Sequence, residues 1–568
     1  MGVSGLTSYI SKNVPHIKVK VKILDEIKEF KTKHNKSPII LIDFSVVTHM
    51  QSSNYMEILC GSRWQVFIDR EKKFLSSLVD AGAKLVFFIE APTKDNTRES
   101  WFIRKTNQYE DYCKAVWAVK QRDENWLIEL QHEERLRTPT VHGPFYRQHL
   151  KSLGKWKNCY EDVDLEIARY AKENEAFAVF TDDSDFLIFE GDFRMMSYKQ
   201  IDYGTFETTE IWKDQLREHF GLKSYQMALF STFCGNDVVD RMQDLKRFHW
   251  NLGRDSKFSK IAQKVKEIMP NHQTDRSEVI KKAANLIGVS TEKISASLKQ
   301  YDLTSNLSPT IKETGFLKKL LDHDEPIMYI ALKGYPKRIS PYFEDIANPC
   351  FKKSQVDLCI WLYRCILGIL SQPEVEMATS HPVFTISEGK YREIQVEPEM
   401  PPIEIPDLHD LIFRRDAYET TRRELIKWTL QDPALKIDEL MEIEQAELIP
   451  VILTLNFLVK QAKVPTKIAD LLLLMFKKVA DSDFPKKISC PELRDFSFED
   501  FQATWLYIIT QATMIEFVEC IGMKRWKRYL CFDGVLFQHL CVLFADFNDF
   551  ERKTELLPIE NLRKFYIS

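Results

Sequence analysis

The hydrophobic positions in the first part of the chain form short continuous runs that are separated by helical stretches. These runs are residues 38–43, 82–90 and 176–182. Continuous apolar runs of this length are typical of strands in a parallel sheet covered on both faces. The stretches at 64–81 and 162–173 have apolar residues at helical spacing instead. The alternation predicts an α/β fold with a central, mostly parallel sheet over residues 1–240.

The pattern changes near residue 240, and helical periodicity dominates the rest of the chain. Prolines recur through one later stretch, and proline interrupts helices because it lacks the backbone N–H and clashes with the preceding turn. We therefore predict four parts. They are an α/β domain at 1–240, a helical region at 241–371, a Pro-rich linker or extended arm at 372–408, and a helical C-terminal domain at 409–568.

The composition is that of a folded globular protein. Of the 568 residues, 44% are hydrophobic and 29% are charged, which excludes a disordered or collagen-like chain. The 79 basic and 83 acidic residues give a net charge of −4, so bulk charge indicates neither a nucleic-acid nor a membrane partner. No apolar run approaches the ~20 residues that cross a bilayer. We expect the protein in the nucleus, the cytoplasm or both.

Acidic residues follow the predicted strands. Asp43 ends the first run and Glu90 ends the second. Further carboxylates follow the third run or lie in two short motifs: Asp182, Asp183, Asp185, Asp162, Asp164 and Asp237. The carboxyl ends of parallel strands meet at one edge of a sheet, where ligands bind. We therefore expect these carboxylates to point into one crevice.

Carboxylates held this close repel one another, so such a cluster requires cations. Oxygen donors without His or Cys favour Mg²⁺ or Mn²⁺ over zinc. Two such ions stabilise the attacking and leaving oxygens of a phosphodiester displacement, so the pattern predicts metal-dependent phosphodiester hydrolysis. The alternative for each acid is a solvated loop residue or a helix N-cap, and Asp162 stands where a cap would.

Several short segments of the chain resemble motifs of the flap endonuclease/xeroderma pigmentosum G type of PIN-like nuclease. They also occur in the order that this family shows. The matching segments are Met1–Leu6, Leu41–Asp43, Phe87–Glu90, Asp162–Asp164, Thr181–Asp185 and Gly235–Asp237. Further detail resembles the Asteroid family and the constitutive coactivator of PPAR-gamma family, at Val14–Ile17, Leu59–Trp64, Ala81–Gly82 and Cys234–Asp237. The resemblance covers about residues 1–240 and implies a PIN-like nuclease domain with a helical cap or arch at about 95–138.

The resemblance also implies a ligand set for two Mg²⁺ or Mn²⁺ ions. The positions that match the family's metal-binding acids are Asp43, Glu90, Asp162, Asp164, Asp183, Asp185 and Asp237. Asp182 matches a neighbouring residue that is usually not a ligand. In flap nucleases the initiator Met is removed and Gly2 lies near the site. The same arrangement here would place an N-terminal amine close to the scissile phosphate.

Basic residues after the second strand are expected to bind that phosphate. Arg or Lys over a metal site stabilises the charge that develops on a phosphoryl group. The candidates are Lys94, Arg98, Arg104 and Lys105, of which Arg104 and Lys105 are preferred. The alternative for each is a solvated charge on a helix face.

Three features depart from the nuclease pattern. Glu90 stands where the family has Asp, and Asp162 and Asp164 stand where it usually has Glu. Each exchange moves the carboxylate by roughly an ångström, and catalysis is sensitive to displacements of that size. No Gly-rich hairpin follows Asp237 to grip duplex DNA. The segment at 95–138 is rich in aromatic residues, which either stack on bases or belong to the core.

Two functions therefore stay open. The first is a nucleic-acid-binding protein whose two-metal acidic site cuts DNA or RNA with a metal-activated water. The second is a catalytically weak or inactive nuclease-fold scaffold or transcriptional coactivator, implied by the coactivator family. In that case the helical C-terminal region binds RNA or protein partners. A small-molecule phosphatase that uses the same metals is a third, weaker reading.

Overall fold

A computed structural model describes most of the chain. The described residues are 2–48, 54–90, 98–139, 143–159, 162–253, 257–304, 315–322, 326–372, 378–414, 417–481, 488–523 and 529–567. The chain divides into two compact units: the first is residues 1–48, 70–101 and 150–310, and the second is residues 49–69, 102–149 and 311–568. Within the described ranges, no helix has the length and apolar character that a bilayer crossing needs.

The strands are β1 Lys18–Lys22, β2 Ile39–Asp43, β3 Lys84–Glu90, β4 Gly154–Cys159, β5 Ala178–Phe180, β6 Arg194–Met196, β7 Glu207–Ile211, β8 Lys337–Arg338, β9 His381–Ser387 and β10 Lys390–Val396. The helices are α1 Leu6–Asn13, α2 Ile23–His34, α3 Phe44–Thr48, α4 Tyr55–Leu59, α5 Trp64–Asp80, α6 Arg98–Gln121, α7 Glu124–His132, α8 Gly143–Leu150, α9 Val163–Glu173, α10 Lys213–Phe220, α11 Ser224–Cys234, α12 Lys246–Leu252, α13 Lys257–Ile268, α14 Arg276–Ile287, α15 Thr291–Lys299, α16 Gly315–Asp322, α17 Pro326–Leu332, α18 Gln355–Leu370, α19 Leu408–Phe413, α20 Glu419–Leu430, α21 Ile437–Met441, α22 Ile449–Phe457, α23 Thr466–Ala480, α24 Phe498–Cys520, α25 Gly534–Asp546, α26 Asp549–Leu556 and α27 Glu560–Arg563.

The first unit is built on a seven-stranded sheet with the order β1-β7-β6-β5-β2-β3-β4. Strand β2 pairs in parallel with β3 and β5, β3 with β4, and β5 with β6. Strand β7 runs antiparallel to both β1 and β6. The predicted α/β fold with a mostly parallel central sheet is therefore confirmed.

The strand sequences match their places in this sheet. Strand β2 lies in the interior and reads Ile-Ile-Leu-Ile-Asp, buried from Ile40 onward, as the continuous apolar run predicted. Strand β1 lies at an edge and reads Lys-Val-Lys-Val-Lys. Alternating lysines keep such an edge from pairing with other chains, because they surround the open backbone with hydrated charge.

The core of the first unit extends well past residue 240. Apolar side chains of α1, α9, α11 and α13–α15 pack in one buried cluster with side chains of β2, β3 and β5. The cluster ends with Tyr301, which is 6% exposed. The helices that follow the predicted boundary at 240 therefore complete the α/β unit.

The second unit is mainly helical, with a small sheet in the order β10-β9-β8. Strands β9 and β10 form an antiparallel hairpin within residues 372–408, the range predicted to be a linker or arm. Glu388 and Gly389 have φ values of 52° and 74° at its turn, as a tight hairpin turn requires. Prolines excluded a helix here, but Pro382 is accommodated at the start of β9.

The predicted cap at 95–138 contains two helices, α6 and α7. Residues 102–149 belong to the second unit. There Tyr112 is 2% exposed and packs against Phe343, with ring centroids 4.5 Å apart. Trp117, in contrast, is 53% exposed. The aromatic residues of this segment therefore include both core and surface positions. The division of the whole chain into four parts stays a prediction.

Candidate metal centre

The predicted metal-binding acids all belong to the first unit. Asp43 is the last residue of β2 and Glu90 is the last residue of β3. Because β2, β3, β4 and β5 run parallel, their carboxyl ends lie at the same edge of the sheet. The loops after β4 and β5 lead to the remaining Asp-Val-Asp and Asp-Asp-Ser-Asp motifs.

Three carboxylates come together at this edge. Asp164, Asp183 and Asp185 each offer an oxygen within 4.8 Å of the others. Asp185 is 1% exposed, and the other two are half-buried. We call these three residues the acidic cluster.

Burial and the charge of Asp183 raise the pKa of the other two carboxyls of the cluster. Burial raises the pKa of Asp164 well above its ordinary value, and the charge of Asp183 raises it further. The pKa of Asp185 is raised by the same two causes in the same order. Each proton taken up by these carboxyls relieves repulsion, and a bound cation has the same effect.

The acidic cluster has three acidic neighbours that the sequence also predicted. Asp43 is 6% exposed, and burial raises its pKa to about 6, with smaller contributions from the charges of Asp183 and Glu90. Asp237 adds to the raised pKa of Asp185. The charges of Asp183, Glu90 and Asp237 therefore act on buried carboxyls of this site, and the roles of these acids as metal ligands stay predictions.

Local turns orient the acids. Asp183 accepts a hydrogen bond from the backbone N–H of Asp185 at 2.9 Å and so begins a short 3-10 turn at Ser184–Leu187. Asp43 accepts from the backbone N–H of Ser45 at 2.9 Å. Asp162 caps α9 by accepting from the N–H of Leu165 at 3.2 Å. The capping role considered for Asp162 is therefore observed, and its charge also raises the pKa of Asp164.

Asp182 has a separate role from its neighbour Asp183. Its carboxylate accepts hydrogen bonds from the hydroxyl of Ser197 and, at 2.9 Å, from the backbone N–H of Lys199. These bonds tie the loop after β5 to the segment that follows β6. The prediction that Asp182 is not a ligand stays a prediction.

Tyr301 is a site residue that sequence reasoning missed. Its hydroxyl donates to Asp185 Oδ1 at 2.6 Å, and the amide of Gln300 donates to Asp185 Oδ2 at 3.4 Å. The Tyr301 hydroxyl has one proton, and it donates this proton to Asp185. The Ser231 hydroxyl therefore donates to the Tyr301 oxygen, with the two oxygens 2.7 Å apart. No motif marked Tyr301, which lies 116 residues from Asp185 in sequence.

Gly2 lies directly against the acidic cluster. Its φ is +59°, and a Cβ added there would overlap Asp183 Oδ1 and Ser184 Oγ. A residue with a side chain would therefore both strain the backbone and displace Asp183. The predicted proximity of Gly2 to the acids is observed, while its proposed role at a phosphate stays a prediction.

The predicted phosphate-binding cations have different outcomes. Lys94 lies outside the described residues. Arg104 and Lys105 lie on α6, in the part of the chain that belongs to the second unit. Lys105 donates to Gln108 Oε1 at 2.9 Å. Their contact with a phosphate stays a prediction.

The donor set fits a hard divalent cation. The acidic cluster offers carboxylate oxygens alone, which Mg²⁺ and Mn²⁺ prefer. Burial and the charge of Asp183 raise the pKa values of Asp164 and Asp185, and a bound divalent cation would favour their charged forms. Asp164, Asp183 and Asp185 would hold such a cation, with Asp43 beside them.

Among the solved structures that are similar to this chain are one of Rad2 and two of GEN1. The catalytic core of Rad2 is 16% identical, with 56% of this chain and 92% of that chain covered and a TM-score of 0.30. Human GEN1 in complex with Holliday junction DNA is 12% identical, covering 72% and 90%, with a TM-score of 0.34. GEN1 in complex with product DNA and a Mg²⁺ ion is 11% identical, covering 70% and 95%, with a TM-score of 0.27.

No protein-family model matches the chain. Among curated proteins, it is similar to the constitutive coactivator of peroxisome proliferator-activated receptor gamma. The cattle and human proteins are each 23% identical over 241 residues, which is 42% of this chain. The match spans only 33% of the cattle protein and 26% of the human one. These relatives bear the family name that the N-terminal motifs resemble, so that resemblance is confirmed.

Proposed function

We propose that the first unit is a divalent-metal-dependent phosphodiesterase that acts on nucleic acid. The observation that carries this proposal is the acidic cluster of Asp164, Asp183 and Asp185, whose oxygens lie within 4.8 Å of one another. A cluster of this kind is unfavourable without cations and contains no other type of ligand. Its place at the carboxyl ends of parallel strands is where substrates of such sheets bind.

A divalent cation bound there would neutralise the charge that develops on a phosphodiester and acidify an attacking water. The chain's own residues prepare this site. Asp183 is oriented by the N–H of Asp185, and Asp185 is oriented by the hydroxyl of Tyr301. Asp43 is buried beside the cluster and is oriented by the N–H of Ser45, so its carboxylate would add a further oxygen near the cation.

A scaffold function is the second candidate, with the nuclease fold kept and catalysis weak or lost. Two observations favour it. The carboxylate of Asp162 caps α9, a structural use of a predicted ligand. The similar curated proteins are named as coactivators, and the comparison covers only part of their length. In this function RNA or protein partners bind the helical C-terminal region.

The test is cleavage of flap, hairpin and single-stranded substrates of DNA and of RNA by the full chain, with Mn²⁺ or with EDTA. The decisive variant is Asp183→Asn, which keeps an oxygen for the N–H of Asp185 but removes the charge. Its matched control is Asp182→Asn, the adjacent acid that binds Ser197 instead.

The proposal expects Mn²⁺-dependent cleavage that the Asp183 variant loses and the Asp182 variant retains. Cleavage of none of the substrates would leave the scaffold function. Cleavage that is unchanged in the Asp183 variant would show that the activity arises elsewhere. The substrate series also separates DNA from RNA.

A further inference from the structure

The first unit has a groove of about 1160 Å³ that the predicted site does not include. It lies between α1, the loop before α12, and the helices α12 and α13. We call it the basic groove. The lining residues that matter here are Lys12, Arg241, Lys246, Lys257, Met242 and Trp250.

The charge of the basic groove is one-sided. Four of its lining residues are Lys or Arg, and no carboxylate occurs among the described lining residues. Arg241 and Lys257 are close enough that Arg241 lowers the pKa of Lys257, after burial as the main cause. Crowded cations of this kind attract an anionic ligand because it relieves their repulsion.

The groove also exposes apolar surface next to the cations. Trp250 is 83% exposed and Met242 is 67% exposed. Behind them the floor is packed, since Tyr9 and Phe258 have ring centroids 4.6 Å apart. A solvent-exposed indole in a groove lined by three lysines and one arginine is suited to stack on a base while the cations contact phosphates.

The helix that carries Trp250 is fixed in place. Nε2–H of His249 donates to the carbonyl of Phe233 at 2.8 Å, because a carbonyl can only accept. Burial lowers the pKa of His249 to about 4, so this ring is neutral at physiological pH and adds no charge to the groove. Trp250 is therefore a surface residue on an ordered platform.

The basic groove begins a short distance from the acidic cluster. Gly2 lies against Asp183, and a Cβ added at Gly5 would lie 3.8 Å from Arg241 Nη1. Three residues of chain span at most about 11 Å. At the stacked spacing of about 3.4 Å per nucleotide, this corresponds to at most about three nucleotides. The N–H of Ser4 also donates to the carbonyl of Gly235 at 2.8 Å, which fixes this segment next to the loop of Asp237.

We infer that the basic groove binds a single-stranded segment of nucleic acid within about three nucleotides of the acidic cluster, with Trp250 stacked on a base. The inference rests on the proposed function for the choice of ligand. A duplex hides its base faces within the stack, so it would leave Trp250 and Met242 without a partner. A flat lipid surface matches the charge but not the concave shape.

The test is binding without catalysis. Fluorescence anisotropy in EDTA compares labelled oligothymidylate and oligouridylate with a duplex of the same length. Trp250→Ala should weaken single-strand binding roughly 5- to 100-fold, while Trp250→Phe should retain most of it. Trp212→Ala is the matched control, because Trp212 is also partly exposed, at 40%, but does not line the groove.

A salt titration tests the cations separately. Each of Arg241→Gln and Lys246→Gln should reduce the slope of log affinity against log salt by about 0.7, the contribution of one phosphate contact on a single strand. Circular dichroism and thermal unfolding verify that the variants are folded.

Four results would overturn the inference: no binding of single strands, tighter binding of duplex, binding unchanged by Trp250→Ala, or binding of anionic phosphatidylserine vesicles in place of oligonucleotides. The proposed function is tested apart from this. If Mn²⁺-dependent cleavage needs Asp183 but binding is unaffected by Trp250→Ala, the inferred role of the basic groove is refuted. The proposed function of the acidic cluster is then still supported.

Discussion

The buried carboxyl of Asp43 is expected to destabilise the folded protein when no cation is bound. Burial raises its pKa from 3.8 to about 6. That difference corresponds to about 3 kcal/mol by which folding disfavours the charged form. In the wild type, the backbone N–H of Ser45 donates to Asp43 Oδ1 at 2.9 Å. The variant Asp43→Asn removes the charge but keeps a side-chain oxygen that can accept this hydrogen bond. In EDTA at neutral pH, the variant should therefore be more stable than the wild type by up to about 3 kcal/mol.

The pH dependence of this difference follows from the sign of the shift. The folded state binds the Asp43 proton more tightly than the unfolded state does. The destabilisation is therefore absent below about pH 4 and complete above about pH 6. The advantage of the variant should develop across that window and then remain level.

Urea denaturation of both proteins in EDTA, at a series of pH values through this window, measures the difference. Adding Mn²⁺ should stabilise the wild type, by about 2.7 kcal/mol at a hundredfold excess over the dissociation constant, and should stabilise the variant less. Equal stability of the two proteins in EDTA at neutral pH would refute the reasoning, since it would mean that the buried carboxyl has no energetic cost.

The remaining predictions concern three other positions. Arg63 and Asp533 form a buried ion pair at 2.9 Å within the second unit. Arg63→Met should lower the free energy of unfolding in urea by about 3–5 kcal/mol, because it leaves the Asp533 charge buried without its partner. A decrease below about 1 kcal/mol would contradict this prediction. Tyr301→Phe removes the donor to Asp185 and should weaken Mn²⁺ binding about 10- to 100-fold in isothermal titration, with unchanged affinity as the contrary result. Burial lowers the pKa of Lys213 to about 7, so the unfolded chain binds the Lys213 proton more tightly than the folded protein does. The free energy of unfolding should therefore rise with pH from about 7 to 10. Lys213→Met should flatten that rise, and the same slope of stability against pH in the variant and the wild type would refute this prediction.

Much of the acidic site could be predicted because its signals are local. Asp43 and Glu90 end apolar runs, and parallel strands bring their carboxyl ends to one edge whatever the loops between them do. The order of motifs also separated Asp183 from Asp182. In the structure these neighbours serve different purposes, because Asp182 is bonded to Ser197 and Lys199.

Other features depend on contacts between distant parts of the chain. A helical pattern near residue 300 gave no sign that Tyr301 packs in the α/β core and donates to Asp185. The prolines of 372–408 excluded helix, yet the backbone pairing that makes a hairpin there is a property of two segments together. The two units are each assembled from separate stretches of the chain, and contacts between distant residues set this grouping.

By itself, the sequence determined the parallel α/β sheet and the acids at its carboxyl edge, because strand period and strand-end position are properties of neighbouring residues. Only the tertiary structure decided which acids meet at ligand distance, which hydroxyl orients Asp185, and that Lys12, Arg241 and Trp250 line one groove. Those residues lie far apart in the chain. Their proximity arises from packing of α1, α12 and α13, where burial of apolar faces, and not local spacing, sets which polar side chains become neighbours.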